Sequence, residues 1–117
     1  MKKIKNYIDG STKCASNNFL DVLDPSTGEK CGEVVLSDLT DFNDAISSSK
    51  KGFKEWSNVT PLKRSRVISK YKELIEKNIE NLAILVSSEH GKTLDDAKGS
   101  VIRGLEVVEF ACGIPHL

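Results

Sequence analysis

The chain has 117 residues, enough for one domain with a real core, and its 38% apolar and 29% charged residues are those of a folded globular sequence, not a disordered one. Seventeen basic and seventeen acidic residues cancel, so no overall field recruits nucleic acid or an anionic membrane. No apolar run approaches the roughly 18 residues needed to cross a bilayer, and the opening MKKIKNYIDGS lacks the apolar core of a secretory signal.

The first third predicts strands. Lys5 to Asp9 is a short edge-strand candidate. In NFLDVLDPSTGEKCGEVVL two β-prone segments, Phe19–Leu23 and Cys31–Leu36, flank Asp24-Pro25-Ser26-Thr27-Gly28. Pro25 presets φ for a turn and Gly28 accepts positive φ, so a hairpin with a long loop follows. From Asp38 the period changes from 2 to 3.6. Phe42, Ala45, Ile46, Ser49 and Phe53 share one helical face, with Asp38 and Asp41 placed as an N-cap pair. Trp56 lies just beyond and is expected to act as a large core anchor.

A second helix starts at Thr60 and Pro61, a capping residue followed by a proline at the first helical position. Val67, Tyr71, Leu74 and Ile75 are its predicted buried stripe, and Lys63, Arg64 and Arg66 read as a solvated face. The pattern resets near Asn78, and Ile79, Leu82, Ala83 and Val86 continue either on a third helix or on a kinked extension of the second. Gly91 suits the left-handed residue after a helix end, and Thr93 with Asp96 begins a fourth helix. The expected architecture is a β-hairpin layer followed by about four helices.

Around the last helix, Val101, Leu105, Val108 and Cys112 make one apolar face. Arg103 points away from them, yet Val107 and Phe110 lie on either side of it. A helix that is apolar on two sides is packed on two sides. Two readings of Arg103 stand open on pattern alone. One is a rim ion pair with Glu106, its stem covering apolar surface, which the pattern favours. The other is a guanidinium in an apolar wall, where its planar fork can hold a carboxylate bidentately. Cys14, Cys31 and Cys112 are odd in number and lack metal-ligand spacing, and with only His90 and His116 besides, no zinc site is expected. Cys112, on the core face, reads as a small buried hydrophobe. A reduced, cytoplasmic setting is the default for such cysteines.

The segments LDPSTGE, AISSSKKGFKEWS, PLKRSRVISKYKELIEKNIENLA and SSEHGKTLDDAKG, in this order and spacing, resemble the opening of the aldehyde dehydrogenase superfamily. The close, RGLEVVEFACGIPHL, is similar to its CoA-acylating methylmalonate-semialdehyde dehydrogenase branch. The resemblance runs from about Tyr7 to Leu117 and implies an α/β fold. It makes residues 1–117 an incomplete, amino-terminal part of the NAD-binding domain, inactive alone. Its implied chemistry is attack of a cysteine thiolate on the aldehyde, hydride transfer to NAD and passage of the acyl group to coenzyme A with loss of carbon dioxide. The thiol and the nucleotide-binding strands of such enzymes lie downstream, so no catalytic, cofactor-binding or metal-binding residue is expected here. The branch's substrate is a small semialdehyde that also carries a carboxylate, and the resemblance assigns Arg103 to that carboxylate. Glu89, Gly91 and Lys92 are carried over as a structural helix end, and His90 as a helix-end residue. A homo-oligomer, often a tetramer, is implied for the full-length protein. The alternatives are an inactive helical interaction module and a segment of an aldehyde dehydrogenase with another substrate.

Overall fold

The computed structural model describes residues 2–116, which fall into two compact units, Met1–Asn58 and Val59–Leu117.

In the first unit, β1 (Lys2–Ile4), β4 (Phe19–Leu23) and β5 (Lys30–Val35) form a sheet of order β1-β5-β4, with β1 parallel and β4 antiparallel to the central β5. The β4–β5 hairpin is the one expected, although its second strand begins one residue earlier. Its loop is shaped by Asp24, whose Oδ1 accepts from the amides of Ser26 and Thr27 at 2.7 and 3.2 Å, and Gly28 has φ +73°. Strand β1 was not legible: Lys2-Lys3-Ile4 has no alternation, and its register comes from backbone pairing with Gly32–Val34. The edge strand expected over Lys5–Asp9 is instead one arm of a separate hairpin, β2 (Asn6–Ile8) with β3 (Ser11–Lys13). Asp9 and Gly10 connect them with φ +54° and +74°, the two positive values that a two-residue type I′ turn requires.

Helix α1 (Leu39–Trp56) opens on a full capping box between Asp38 and Asp41. Its apolar stripe differs from expectation. Phe42, Ile46 and Phe53 are exposed, and Trp56, the helix's last residue, is 42% exposed and no core anchor. Among the described elements of its unit α1 packs on β2, a three-residue strand too short to cover so long a stripe.

In the second unit α2 (Pro61–Lys77) and α3 (Ile79–His90) are separate helices, because Asn78 leaves helical geometry with φ −116° and ψ +13°. Thr60 caps α2 through the amide of Lys63. The expected buried stripe on α2 is displaced: Val67, Tyr71 and Leu74 are exposed, whereas Ser65, Ile68, Ser69, Lys72 and Ile75 are half-buried. Polar partners on α4 (Leu94–Cys112) accompany this rotation. Ser65 Oγ donates to the Cys112 carbonyl at 2.6 Å, and Lys72 Nζ bridges Glu76 at 3.0 Å and Glu109 at 3.3 Å. Those carboxylates, Glu76 first, hold the Lys72 ammonium above its usual pKa. Of the basic trio, Lys63 and Arg66 are exposed as expected, while Arg64 is half-buried. Helix α3 turns Ile79, Leu82, Ala83 and Val86 inward as expected, and α4 does the same with Val101, Leu105, Val108 and Cys112. Ala83 and Ala97 are fully buried. Cys112 is only half-buried, its Sγ donating to the Val108 carbonyl at 3.3 Å.

Candidate functional site

The second face of α4 is present as expected, with Val107 69% and Phe110 67% exposed. Arg103, between them, is exposed as well. Among the described residues it forms no ion pair with Glu106, so the rim-pair reading is corrected. Its Nη2 instead donates to Ser100 Oγ at 3.2 Å, one turn back. Long helical side chains lean toward the helix N-terminus, so residue i−3 is within reach where i+3 is less so. The guanidinium passes close to Gly99, where a Cβ would sit 3.5 Å from Nη1 in ordinary contact, so its placement does not depend on the glycine.

The approach to this helix is built by the end of α3. Gly91 terminates α3 in the left-handed region, φ +81°, and donates to the Ser87 carbonyl at 2.8 Å. Lys92 follows, its carbonyl accepting from Ser87 Oγ at 2.8 Å. Thr93 then caps α4, Oγ1 accepting from the Asp96 amide at 3.3 Å. Fixed in this way, Lys92 is half-buried and its Nζ donates to Ser100 Oγ at 2.8 Å. Lys92 therefore does more than mark a helix end, and Ser100 did not figure among the expected site residues. The signal was Ser100 one helical turn before Arg103. Arg103 brings to this place a guanidinium with most of its N–H donors uncommitted and apolar neighbours on both flanks.

The first unit holds a cleft of 270 Å³ lined by Tyr7, Ile8, Phe42, Ala45 and the polar Asn6, Ser37 and Asp41. Asp41 is only 4% exposed, yet its oxygens accept from the amides of Ala15 at 2.7 Å, Ser16 at 3.2 Å and Asp38 at 3.3 Å. The Ala15 amide, above all, holds its carboxyl below the ordinary aspartate pKa. Asp41 thus ties the segment after β3 to the start of α1, a structural task that leaves it little capacity for a ligand. The strand-to-helix turn Leu36-Ser37-Asp38 contains no glycine, and the Asp38 and Asp41 carboxylates fill the helix N-terminus. Those residues do not fit a dinucleotide pyrophosphate.

Cys14 is half-buried and Cys31 is exposed, its Sγ donating to the Val22 carbonyl at 3.3 Å. Among the described residues no group of three or more histidines, cysteines and acids is placed to hold a metal, and no helix is long and apolar enough to cross a membrane.

Comparison with known proteins puts this architecture in a wider frame. A mitochondrial acylating methylmalonate-semialdehyde dehydrogenase from Arabidopsis thaliana is 42% identical over 98% of the chain, which spans 19% of that protein. A malonate-semialdehyde dehydrogenase from Pseudomonas aeruginosa is 38% identical over the whole chain, which spans 24% of it. Among solved structures, the NAD complex of a Sinorhizobium meliloti protein described as a methylmalonate-semialdehyde dehydrogenase superposes with a TM-score of 0.95 at 41% identity. That match covers 99% of the chain and 24% of the other. The chain thus spans about a fifth to a quarter of the relatives it matches. Residues 12–116 match the aldehyde dehydrogenase family, and with strands, capped helices and relatives in agreement, the chain belongs to that family.

Proposed function

We propose that this chain is a segment of an NAD-dependent, CoA-acylating methylmalonate- or malonate-semialdehyde dehydrogenase, in which Arg103 binds the substrate's carboxylate. The overall reaction converts semialdehyde, coenzyme A and NAD into acyl-CoA, carbon dioxide and NADH. The observation that carries the reading is Arg103 itself: an exposed guanidinium flanked by Val107 and Phe110, without a carboxylate partner among the described residues. A substrate carboxylate facing apolar side chains binds poorly unless a cation meets it, and a planar fork meets both oxygens at once. The names of the Arabidopsis and Pseudomonas relatives support the substrate class, and the Sinorhizobium complex supports NAD.

In this reading residues 1–117 contribute substrate binding and scaffold. The thiol nucleophile and the nucleotide site belong to the remainder of the enzyme, which works as a soluble homo-oligomer in a reducing compartment such as the cytoplasm. The test is Arg103→Leu in the holoenzyme that contains this segment. Loss of charge-assisted hydrogen bonds worth about 1.5–3 kcal/mol lowers kcat/KM for malonate semialdehyde by roughly 10- to 150-fold relative to propionaldehyde. Equal loss with both aldehydes overturns the assignment. Exposure of Val107 and Phe110 favours a second reading, in which the chain alone is a catalytically silent docking module. Size-exclusion of the purified chain mixed with a full-length subunit separates the two, since a docking module co-elutes with that subunit and a chain that stays monomeric in its presence contradicts the second reading.

A further inference from the structure

Two cations converge on one hydroxyl. Lys92 Nζ donates to Ser100 Oγ at 2.8 Å and Arg103 Nη2 donates to the same oxygen at 3.2 Å. Ser100 Oγ in turn donates to the Asp96 carbonyl at 3.1 Å. A serine hydroxyl has one proton and two lone pairs. All three are therefore committed, the proton to the helix backbone and the lone pairs to the cations. This hydroxyl has no freedom to rotate without breaking a bond.

At those distances from a shared oxygen, the two charged heads stand within about 6 Å of each other. Like charges so close repel, and elsewhere in the same unit lysines are neutralised: Lys72 by Glu76 and Glu109, Lys98 by Glu80. Neither Lys92 nor Arg103 has a carboxylate within ion-pair distance among the described residues. Their donors are far from exhausted. A guanidinium has five N–H groups and an ammonium three, and Ser100 takes one from each. The Lys92 backbone is itself fixed, because Ser87 donates to the Lys92 carbonyl immediately after the left-handed turn at Gly91.

We infer that Ser100 and Lys92 are positioning residues for Arg103: Ser100 fixes the guanidinium on the α4 surface, and Lys92 adds a second positive charge beside it. The carboxylate end of the substrate is then held by a fixed dication rather than by a lone, mobile arginine. This rests on the assignment of Arg103 as the carboxylate ligand. Preorganisation of this kind acts on binding, because the guanidinium need not be ordered when the anion arrives.

The experiment compares Ser100→Ala, Ser100→Thr, Lys92→Met and Arg103→Leu in the holoenzyme that contains this segment, with malonate as a competitive anion probe. Ser100→Ala removes the acceptor of both charged donors, Lys92 and Arg103, and raises both KM for malonate semialdehyde and the malonate inhibition constant about three- to tenfold, relative to KM for propionaldehyde. Ser100→Thr keeps the hydroxyl and restores both, which a purely steric role does not predict. Lys92→Met moves the same constants in the same direction and flattens their dependence on ionic strength, since one of two charges is gone. If Ser100→Ala fails to fold, the Lys92→Met salt dependence decides alone. The inference is overturned if Arg103→Leu discriminates against the carboxylated substrate while Ser100→Ala and Lys92→Met do not, or if Lys92→Met leaves the salt dependence intact. If Arg103→Leu itself shows no discrimination, the assignment of Arg103 falls and this inference with it.

Discussion

Ala97 sits on α4 about one and two-thirds turns before Arg103 and is fully buried, as is Ala83 on α3, the helix with which α4 has extensive contact. Two substitutions at this position probe how tightly α4, which carries Arg103, is packed against α3, whose link to α4 carries Lys92. Ala97→Gly deletes one buried methyl, worth about 0.8 kcal/mol, and adds a helix-propensity cost of about 1 kcal/mol. Together these cost about 2 kcal/mol. At roughly 4–8 °C per kcal/mol for a domain of this size, the melting temperature falls by roughly 8–16 °C. Ala97→Leu is the more telling variant. Three more carbons would gain roughly 2.4 kcal/mol if room existed for them. In a close-packed interface they instead force side chains off rotamer and cost about 1–3 kcal/mol. Thermal melts of the chain followed by circular dichroism at 222 nm measure both. Both variants melting low is the result expected. A leucine variant that melts at or above the parent temperature refutes the close-packed interface and, with it, the rigid placement of α4 against α3.

Three further outcomes follow from the local chemistry. Asp41→Asn destabilises the first unit at neutral pH, because an amide replaces an anion that accepts three backbone N–H bonds. The folded carboxyl titrates below its ordinary value of about 3.9, so its stabilisation is present above that pH and lost as pH falls through the lower folded value. Urea melts of parent and variant should therefore converge in acid, and a gap that stays constant with pH contradicts the assignment. Gly91→Ala places a side chain at φ +81° and costs about 1–2 kcal/mol, with Gly91→Asn milder; equal stability of parent and alanine variant in urea melts would count against the left-handed cap. Ser65→Ala leaves the Cys112 carbonyl without its 2.6 Å donor and costs about 1 kcal/mol, seen as faster amide exchange near the end of α4.

The helical half of the fold was largely legible because its boundaries are local. Asp38, Thr60, Gly91 and Thr93 each mark an end through a hydrogen bond or a dihedral that depends on their own few neighbours. Which face of a helix turns inward is not local. On α2 the sequence stripe Val67–Tyr71–Leu74 competes with Ser65 and Lys72, whose partners Cys112 and Glu109 lie far along the chain. Periodicity counts apolar residues and misses such polar anchors. The amino-terminal strands failed for a related reason, since β1 is set by a parallel neighbour distant in sequence. The Asp9-Gly10 turn, by contrast, is a local signal: an Asp-Gly pair marks a two-residue hairpin, and its two positive φ values end the expected edge strand and start its partner.

Arg103 shows the same division most sharply. Charge pattern offers Glu106 as its partner, because a pattern contains spacing and sign but no side-chain direction. The tilt of helical side chains toward the N-terminus favours the residue behind, where a serine stands. A glutamate partner would have neutralised the arginine and made it part of the scaffold. A serine partner holds it and leaves its charge intact. The same hydroxyl receives Lys92, which follows the turn that Gly91 makes at the end of α3. A turn, a cap and a hydroxyl, each ordinary in isolation, thus concentrate positive charge at one point on α4, the charge on which the proposed carboxylate role of Arg103 rests.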